Sequence, residues 1–178
     1  MKKHLAGNMW SYALAIALAF ALKRHYSTAG AEDLHWVLSP LAGLVSLATR
    51  VPFGFVEGVG YVSEASNVVI APVCAGVNFM IVCFCMLVFA QTHRLRSPAA
   101  RAGLLAASAL AAYGLSLMVN TARVVLSMSM PAQGAAAGLV TPERLHRLEG
   151  ICIYFLALSL LYLAAGAAMR RIGRGRGG

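Results

Sequence analysis

The sequence predicts an all-α membrane protein, a polytopic bundle of about five transmembrane helices in a single domain of 178 residues. Hydrophobic residues make up 60% of the chain and charged residues 12%, and the mean hydropathy of +0.72 is too high for a soluble core with a polar surface. The apolar residues also fall in blocks whose lengths approach the roughly 20 residues that cross a bilayer. These blocks place the spans at Met9–Leu22, Leu34–Ala48, Val77–Gln91, Ala102–Met128 and Ile151–Met169.

The segment Arg50–Gly76, which precedes the third span, does not fit a regular spanning helix. It contains Pro52, Pro72, several glycines and the run Asn67–Ile70, which is rich in β-branched residues. Irregular backbone at membrane depth must be buried in protein or line a wet cavity. We therefore expect this interfacial segment to form the wall of a functional pocket; the alternative is a surface loop with a short hairpin.

The net charge of +9 is explained by membrane topology rather than by a nucleic-acid partner, because no stretch interleaves basic residues with aromatic ones. With five spans, one set of alternate loops carries nine Lys and Arg residues and the other set carries six. The positive-inside rule places the richer set in the cytoplasm. The richer set is Lys23, Arg24, Arg94, Arg96, Arg101, Arg170, Arg171, Arg174 and Arg176, and the poorer set is Lys2, Lys3, Arg50, Arg123, Arg144 and Arg147.

This charge distribution predicts a multi-pass protein of the cell (inner) membrane, with Cys74, Arg123 and His146 on the outer side. The apolar run before Leu22 is similar to a secretory signal peptide. The charged patch Lys23–His25 instead favours a retained helix whose C-terminal end faces the cytoplasm.

The last two spans have distinctive ends. The block Ala102–Met128 is longer than one span requires, so its final two turns are expected to reach past the hydrocarbon. Thr141, Pro142 and Glu143 are typical of an N-cap with proline at the first helical position. The basic, glycine-rich segment Arg170–Gly178 predicts a disordered tail close to anionic lipid.

Arg123 is a candidate functional residue because a charge within a membrane helix costs at least a few kcal/mol unless it has a partner or an outlet to water. Asn120 lies three residues earlier on the same helical face and could hold the guanidinium in place. The alternative is that Arg123 extends to the headgroups as an anchor.

Cys74 differs from the other three cysteines because Pro72 precedes it and Gly76 follows it, which predicts a turn at the start of the third helix. Backbone N–H groups at a helix N-terminus, together with a nearby arginine, stabilise a thiolate. The alternative is a structural thiol, as expected for Cys83 and Cys85. The spacing of the four cysteines indicates no metal site and no redox pair.

His146 is a candidate general acid and base, since thiol-dependent acyl transfer needs a group that titrates near neutral pH. It could also be a solvated interfacial histidine, because Arg144, Arg147 and Glu149 surround it. Cys74, Arg123 and His146 belong to the outer ends of three different predicted helices. An antiparallel bundle brings such ends together, so a nucleophile, a fixed cation and a proton carrier are expected at one rim.

Three short motifs in this order resemble the exosortase/archaeosortase family of membrane transpeptidases. The stretch Pro72–Gly76 is similar to the family's Cys-Ser-Gly turn, Asn120–Val124 to its Asn-x-x-Arg helix, and His146–Gly150 to its histidine motif. The resemblance covers about residues 60–165. Ala75 replaces the usual serine, and the chain lacks several N-terminal helices of longer members, so it resembles a short, divergent exosortase.

The resemblance implies a cysteine protease or transpeptidase that cleaves a C-terminal sorting signal from secreted proteins and transfers them to an acceptor. By this resemblance Cys74 is the nucleophile, Arg123 stabilises the oxyanion or thiolate, and His146 is the general acid and base, with Asn120 and Gly76 as supporting residues. A neighbouring arginine is the alternative for the third role. The implied substrates end in a transmembrane helix and a basic tail, and no cofactor is implied.

Two other classes of function fit the composition equally well. The first is a non-enzymatic assembly factor or transporter subunit, in which Arg123 is structural and Cys74 inert. The second is a thiol-dependent acyltransferase that moves lipid chains.

Overall fold

The computed structural model describes the backbone of residues 2–129 and 142–175, and the side chains of residues 8–129, 148 and 150–168. Within these ranges the chain forms five α-helices, a small β-sheet and two short 3₁₀ turns. In chain order the elements are α1 (Lys2–Thr28), α2 (His35–Thr49), β1 (Gly54–Val56), β2 (Gly60–Ser63), β3 (Val68–Ile70), a 3₁₀ turn (Pro72–Ala75), α3 (Val77–Gln91), a 3₁₀ turn (Thr92–Arg94), α4 (Pro98–Ser129) and α5 (Pro142–Gly175).

The core lies where α3 packs against α4, with α1 against α3 and α2 against α4. Neighbouring long helices run antiparallel. The start of α3 meets the end of α4, because Gly76 lies against Asn120. Helix α5 runs back along α4: Gly150 contacts Arg123, and the later Tyr154 contacts the earlier Asn120. Burial of the apolar side chains between these helices provides the main packing contacts. The largest fully buried apolar side chains are Leu34, Val37, Leu38, Leu41, Val45, Ile70, Val77 and Val88.

Among the residues that the structure describes, three helical segments are long and apolar enough to cross a membrane: Pro72–Arg94, Pro98–Ser129 and Gly150–Ala168. They coincide with the third, fourth and fifth predicted spans. The five-span bundle is not confirmed, because neither α1 nor α2 is among these segments, and α2 has only 15 residues. At 1.5 Å per residue such a helix extends about 22 Å, less than the roughly 30 Å of a hydrocarbon core.

Both ends of α2 connect to the β-sheet. At its start, the His35 ring lies 5.2 Å from the Phe55 ring and 5.7 Å from the Tyr61 ring, measured between centroids. At its end, Thr49 is followed within five residues by β1, a stretch of chain that extends at most about 18 Å. A helix tied to one sheet at both ends does not carry the chain from one membrane face to the other.

The orientation of α1 differs from the sequence-based prediction. Lys23 Nζ donates a hydrogen bond of 2.7 Å to Asn78 Oδ1 at the start of α3, and the Tyr12 ring lies 5.5 Å from the Phe89 ring near the end of α3. The C-terminal end of α1 is therefore on the Cys74 end of the bundle. The prediction that placed Lys23 and Cys74 on opposite faces is wrong, because it counted α2 as a full span.

The segment before α3 is regular rather than irregular, so the all-α description is incomplete. The three strands form an antiparallel sheet in the order β1-β2-β3, and β3 coincides with the β-branched run noted in the sequence. Gly58 and Gly60 have positive φ at the turn between β1 and β2, a conformation that glycine adopts without steric cost. The sheet lies at the Cys74 end of the bundle.

The last two helices are long. The 32 residues of α4 exceed one bilayer crossing, as the sequence predicted. Helix α5 begins at Pro142, as expected from a proline at the first helical position, and continues to Gly175, into the segment expected to form a disordered tail. The preceding Thr141, expected to be the N-cap, lies outside the described residues.

Candidate functional site

Cys74 lies in the 3₁₀ turn that leads into α3, at the position that the flanking proline and glycine predict. Its backbone N–H donates to Ala71 O at 2.8 Å. Gly76 follows with φ 66° and ψ 20°, and its carbonyl oxygen accepts from Met80 N at 3.0 Å. The left-handed conformation at Gly76 thus turns the chain from the cysteine into the helix, and it leaves the Cys74 side chain half-buried at the end of the bundle.

Gly76 also allows α4 to approach closely. A Cβ atom added to Gly76 would overlap the side-chain amide of Asn120. The carbonyl oxygen of Gly76 accepts a 3.2 Å hydrogen bond from Ser116 Oγ, and Asn120 Nδ2 donates to Ser116 O at 2.7 Å. Asn120 and Ser116 are almost completely buried. The cysteine turn is therefore fixed against α4 by close contact of Gly76 with the Asn120 side chain and by one buried hydrogen bond.

Tyr154 of α5 joins Asn120 to Arg123. Its hydroxyl donates to Asn120 Oδ1 at 2.7 Å and accepts from Arg123 Nη1 at 2.9 Å. The Tyr154 ring stacks on Phe79 of α3, with centroids 4.7 Å apart and planes 25° apart. Because the ring and the hydroxyl are both held, the tyrosine fixes the direction of the guanidinium.

Cys74, Asn120 and Arg123 line one cleft of about 160 Å³. Its other walls come from β3 and the last turns of α4. The cleft therefore combines a thiol, a guanidinium and a carboxamide at the end of a membrane bundle, the groups expected around an acyl-transfer centre. Val68, Val69, Val124, Ser127 and Met128 complete its lining.

His146 lies in the first turns of α5, but its side chain is outside the described residues. Its backbone position is four residues before Gly150 and eight before Tyr154, so the three positions share one helical face. Gly150 packs against Arg123: a Cβ at that glycine would lie 3.3 Å from Arg123 Nε. The face of α5 that carries position 146 is therefore the face that packs on the guanidinium.

The end of α1 adds two side chains next to the cysteine turn. Lys23 Nζ donates a hydrogen bond to Asn78 Oδ1 and lies 5.5 Å from the centre of the Tyr26 ring. Burial raises the pKa of the Tyr26 phenol, and the nearby Cys74 and Tyr154 side chains raise it further. The interaction with Cys74 shows that this phenol lies near the thiol. Tyr26 follows the apolar part of α1, which places it at the edge of the membrane.

Two other histidines and two other cysteines lie elsewhere. His35 packs against the sheet with its ring stacked on Tyr61, and His93 is near the opposite end of α3. Cys83 is buried within α3, and Cys152 is exposed on α5. Among the described residues, no three His, Cys, Asp or Glu side chains form a group that could hold a metal ion.

The sequence-based reasoning did not find Tyr154 or Ser116. It did predict that the segment before α3 forms a pocket wall, and Val68 and Val69 line the cleft, but it did not predict that this wall is the strand β3. Ser116 had a detectable signal, because it lies four residues before Asn120 on the same helical face. Tyr154 had none that separates it from the tyrosines common at membrane interfaces. Its role depends on the packing of α5 against α4, which local spacing does not reveal.

Models of known protein families, curated proteins and solved structures were compared with this chain, and none of them matches it.

Proposed function

We propose that this protein is a membrane-embedded cysteine protease or transpeptidase that cleaves the C-terminal sorting signal of secreted proteins. The single observation that supports this most is the shared cleft: Cys74, from the turn before α3, and Asn120 and Arg123, from α4, line one space at the end of the bundle. A structural thiol would not require a partly buried, hydrogen-bonded arginine in the same cleft.

The first chemical step is attack of the Cys74 thiolate on the scissile carbonyl carbon. Arg123 and nearby backbone N–H groups stabilise the negative charge on the carbonyl oxygen. His146 takes the thiol proton and returns it to the leaving amine, which departs with the C-terminal helix of the substrate. A neighbouring arginine is the alternative for the third role. The product of this step is a thioester between Cys74 and the secreted part of the substrate.

The second step resolves the thioester. An acceptor nucleophile, or water, attacks the thioester carbonyl while His146 accepts the proton of the nucleophile. The C–S bond breaks, and the thiolate regains that proton. The outcome is transfer when the nucleophile is an acceptor group, and hydrolysis when it is water. No external oxidant, reductant or metal is needed.

The topology supports a site on the outer face of the cell (inner) membrane. With α1 reoriented, Lys2 and Lys3 join the opposite end of the bundle, while Lys23 and Arg24 join the Cys74 end. These two pairs exchange places, so the totals stay at nine basic residues on one end and six on the Cys74 end. The positive-inside rule again directs Cys74 outward, where secreted proteins are found.

The motif resemblance supplies the substrate class. Three stretches resemble exosortase motifs: Pro72–Gly76, Asn120–Val124 and His146–Gly150. A substrate of an exosortase has a C-terminal transmembrane helix followed by a basic tail. This helix would lie beside the bundle in the lipid, with its scissile segment at the level of Cys74. The resemblance extends to Asn120 and Gly76, whose direct contact is consistent with their supporting roles.

The proposal is tested with a co-expressed secreted reporter that carries a C-terminal apolar helix and a basic tail. We expect Cys74→Ala to reduce its processing at least about a thousandfold, since the nucleophile is lost. Cys83→Ala is the matched control and should process the reporter normally. Equal processing by wild-type protein and Cys74→Ala would sink the enzyme proposal and favour a non-enzymatic assembly or transport role. Transfer of a lipid acyl chain without cleavage would indicate an acyltransferase.

A further inference from the structure

The open edge of β3 borders the Cys74 cleft. In the sheet order β1-β2-β3, β3 pairs on one side with β2, and no described strand pairs with its other side. An unpaired strand edge presents backbone N–H and C=O groups that can pair with another extended chain. The edge is therefore a candidate binding site in its own right.

The strand register shows which backbone groups are open. Tyr61 pairs with Ile70, and Val62 pairs with Val69. The carbonyl oxygen of Ile70 faces β2, because a Cβ added to Gly60 would lie 2.5 Å from it. Backbone groups alternate in direction along a strand, so the N–H and C=O of Val69 face away from β2.

The cleft runs along this edge rather than over one face of the sheet. Successive side chains of a strand point to opposite faces. Val68 and Val69 are successive residues, and both line the cleft with Cys74. A cavity that reaches both residues passes along the strand edge between them. Val69 is also well exposed, with 46% of its surface accessible.

We propose that the β3 edge binds the substrate polypeptide as an added strand. An extended segment just before the substrate's C-terminal helix pairs through its backbone with the N–H and C=O of Val69. This pairing lays the scissile carbonyl along the cleft that holds Cys74 and Arg123. The inference rests on the proposed function and adds the mode of substrate recognition to it.

Strand addition suits a substrate at this position. An extended peptide buried without backbone partners would leave polar groups unsatisfied, which is costly near a membrane. Pairing with β3 satisfies these groups and aligns the peptide, while affinity comes mainly from backbone hydrogen bonds. The adjoining turn that carries Cys74 begins at Pro72, two residues after the end of β3. Recognition and chemistry are thus connected by one short stretch of chain.

Val69→Pro is the direct test, because it removes the outward N–H while edge positions of a sheet tolerate proline. We expect it to reduce reporter processing at least tenfold. A melting temperature close to that of the wild-type protein would show that the variant still folds. Val69→Ala truncates the side chain but keeps the N–H, so it should reduce processing much less than Val69→Pro. Phe55→Pro makes the equivalent change on the outer edge of β1 and should leave substrate capture intact. Normal processing by folded Val69→Pro would overturn the inference while leaving the enzymatic proposal standing.

Disulfide trapping provides a second readout if Val69→Pro does not fold. Single cysteines are placed along the segment before the reporter helix, and Val69→Cys is combined with Cys74→Ala to stop turnover. Strand pairing predicts cross-links at alternate reporter positions, with none from Phe55→Cys. Cross-links without this alternation, or none at all, would overturn the inference. If wild-type protein and Cys74→Ala process the reporter equally, the proposed function fails, and the inference fails with it.

Discussion

At the scale of single residues, the site depends on a hydroxyl group that connects two helices. Tyr154 receives a hydrogen bond from Arg123 and donates one to the nearly fully buried Asn120. Loss of a buried partner costs roughly 1–3 kcal/mol because the remaining polar atoms stay desolvated. Tyr154 is thus a positioning residue for Arg123 rather than a group that touches substrate.

Tyr154→Phe removes this hydroxyl and retains the stacking on Phe79. We expect reporter processing to fall by about 10- to 100-fold, because a guanidinium that is no longer held in place stabilises the developing oxyanion less well. The fall should appear in kcat more than in KM, because Arg123 is proposed to act on the developing oxyanion. Tyr162→Phe is the matched control, since Tyr162 is 58% exposed on the same helix. Equal effects of the two changes would contradict the positioning role.

Gly76→Ala tests the turn that presents Cys74. The positive φ of Gly76 costs a residue with a side chain about 1–3 kcal/mol, and the new methyl group would displace Asn120. We expect a lower melting temperature and loss of processing. Gly114→Ala is the control, because a Cβ there meets no atom within 4 Å. A stable, active Gly76→Ala protein would show that this contact is not needed.

The sequence predicted part of the residue-level site. Cys74, Asn120 and Arg123 were selected from proline-glycine flanks, helical spacing and charge in an apolar block, and they do line one cleft. Their roles remain predictions, and the His146 side chain lies outside the described residues. Tyr154 could not be predicted, because its contacts join residues more than 30 positions apart.

At the scale of elements, the β-sheet is held to the helices by a carboxylate. Glu32, between α1 and α2, accepts a 2.6 Å hydrogen bond from Gly58 N at the turn between β1 and β2. This backbone hydrogen bond lowers the pKa of the Glu32 carboxyl below its usual value of 4.5. The contact thus attaches the hairpin to the loop that precedes α2.

The pH dependence of this contact follows from the direction of the pKa shift. A folded-state pKa below the unfolded one gives stability that is present above the unfolded value and is lost as pH falls through the folded value. We expect the protection factor of the Gly58 amide, its exchange rate relative to an unfolded peptide at the same pH, to fall once the pH drops below about 4.5. Glu32→Gln should show a lower protection factor that changes less over this pH range. An equal response in both proteins would contradict the role of the carboxylate.

The elements themselves were predicted unevenly. The third, fourth and fifth spans follow from long apolar blocks, which determine helix location directly. For the sheet, the sequence analysis offered only a short hairpin as the alternative, because strands of three or four residues give a weak sequence pattern. Helix α2 was counted as a span because its composition is apolar, although burial against α4 explains that composition equally well.

At the scale of the whole molecule, the sequence-based topology and the structure place α1 in opposite directions. Single cysteines in a protein with all four native cysteines changed to alanine distinguish them, with Arg24→Cys at one end and Arg96→Cys at the other. We expect a membrane-impermeant thiol reagent to label position 24 in intact cells and position 96 only after the membrane is opened. A protein whose only cysteine is Cys74 should be labelled in intact cells, as the protein with a cysteine at position 24 is. Joint labelling of positions 24 and 96 would contradict the antiparallel packing of α1 on α3.

The central claim is that Cys74 forms the covalent intermediate, and capture of that intermediate tests it most directly. Purified protein in lipid nanodiscs is mixed with the reporter, quenched in acid and mapped by mass spectrometry. We expect the secreted part of the reporter to be attached to Cys74 through a bond that hydroxylamine cleaves, with less adduct formed by Arg123→Gln. Reporter cleavage without an adduct at Cys74, or an adduct at Cys83, Cys85 or Cys152 instead, would contradict the claim.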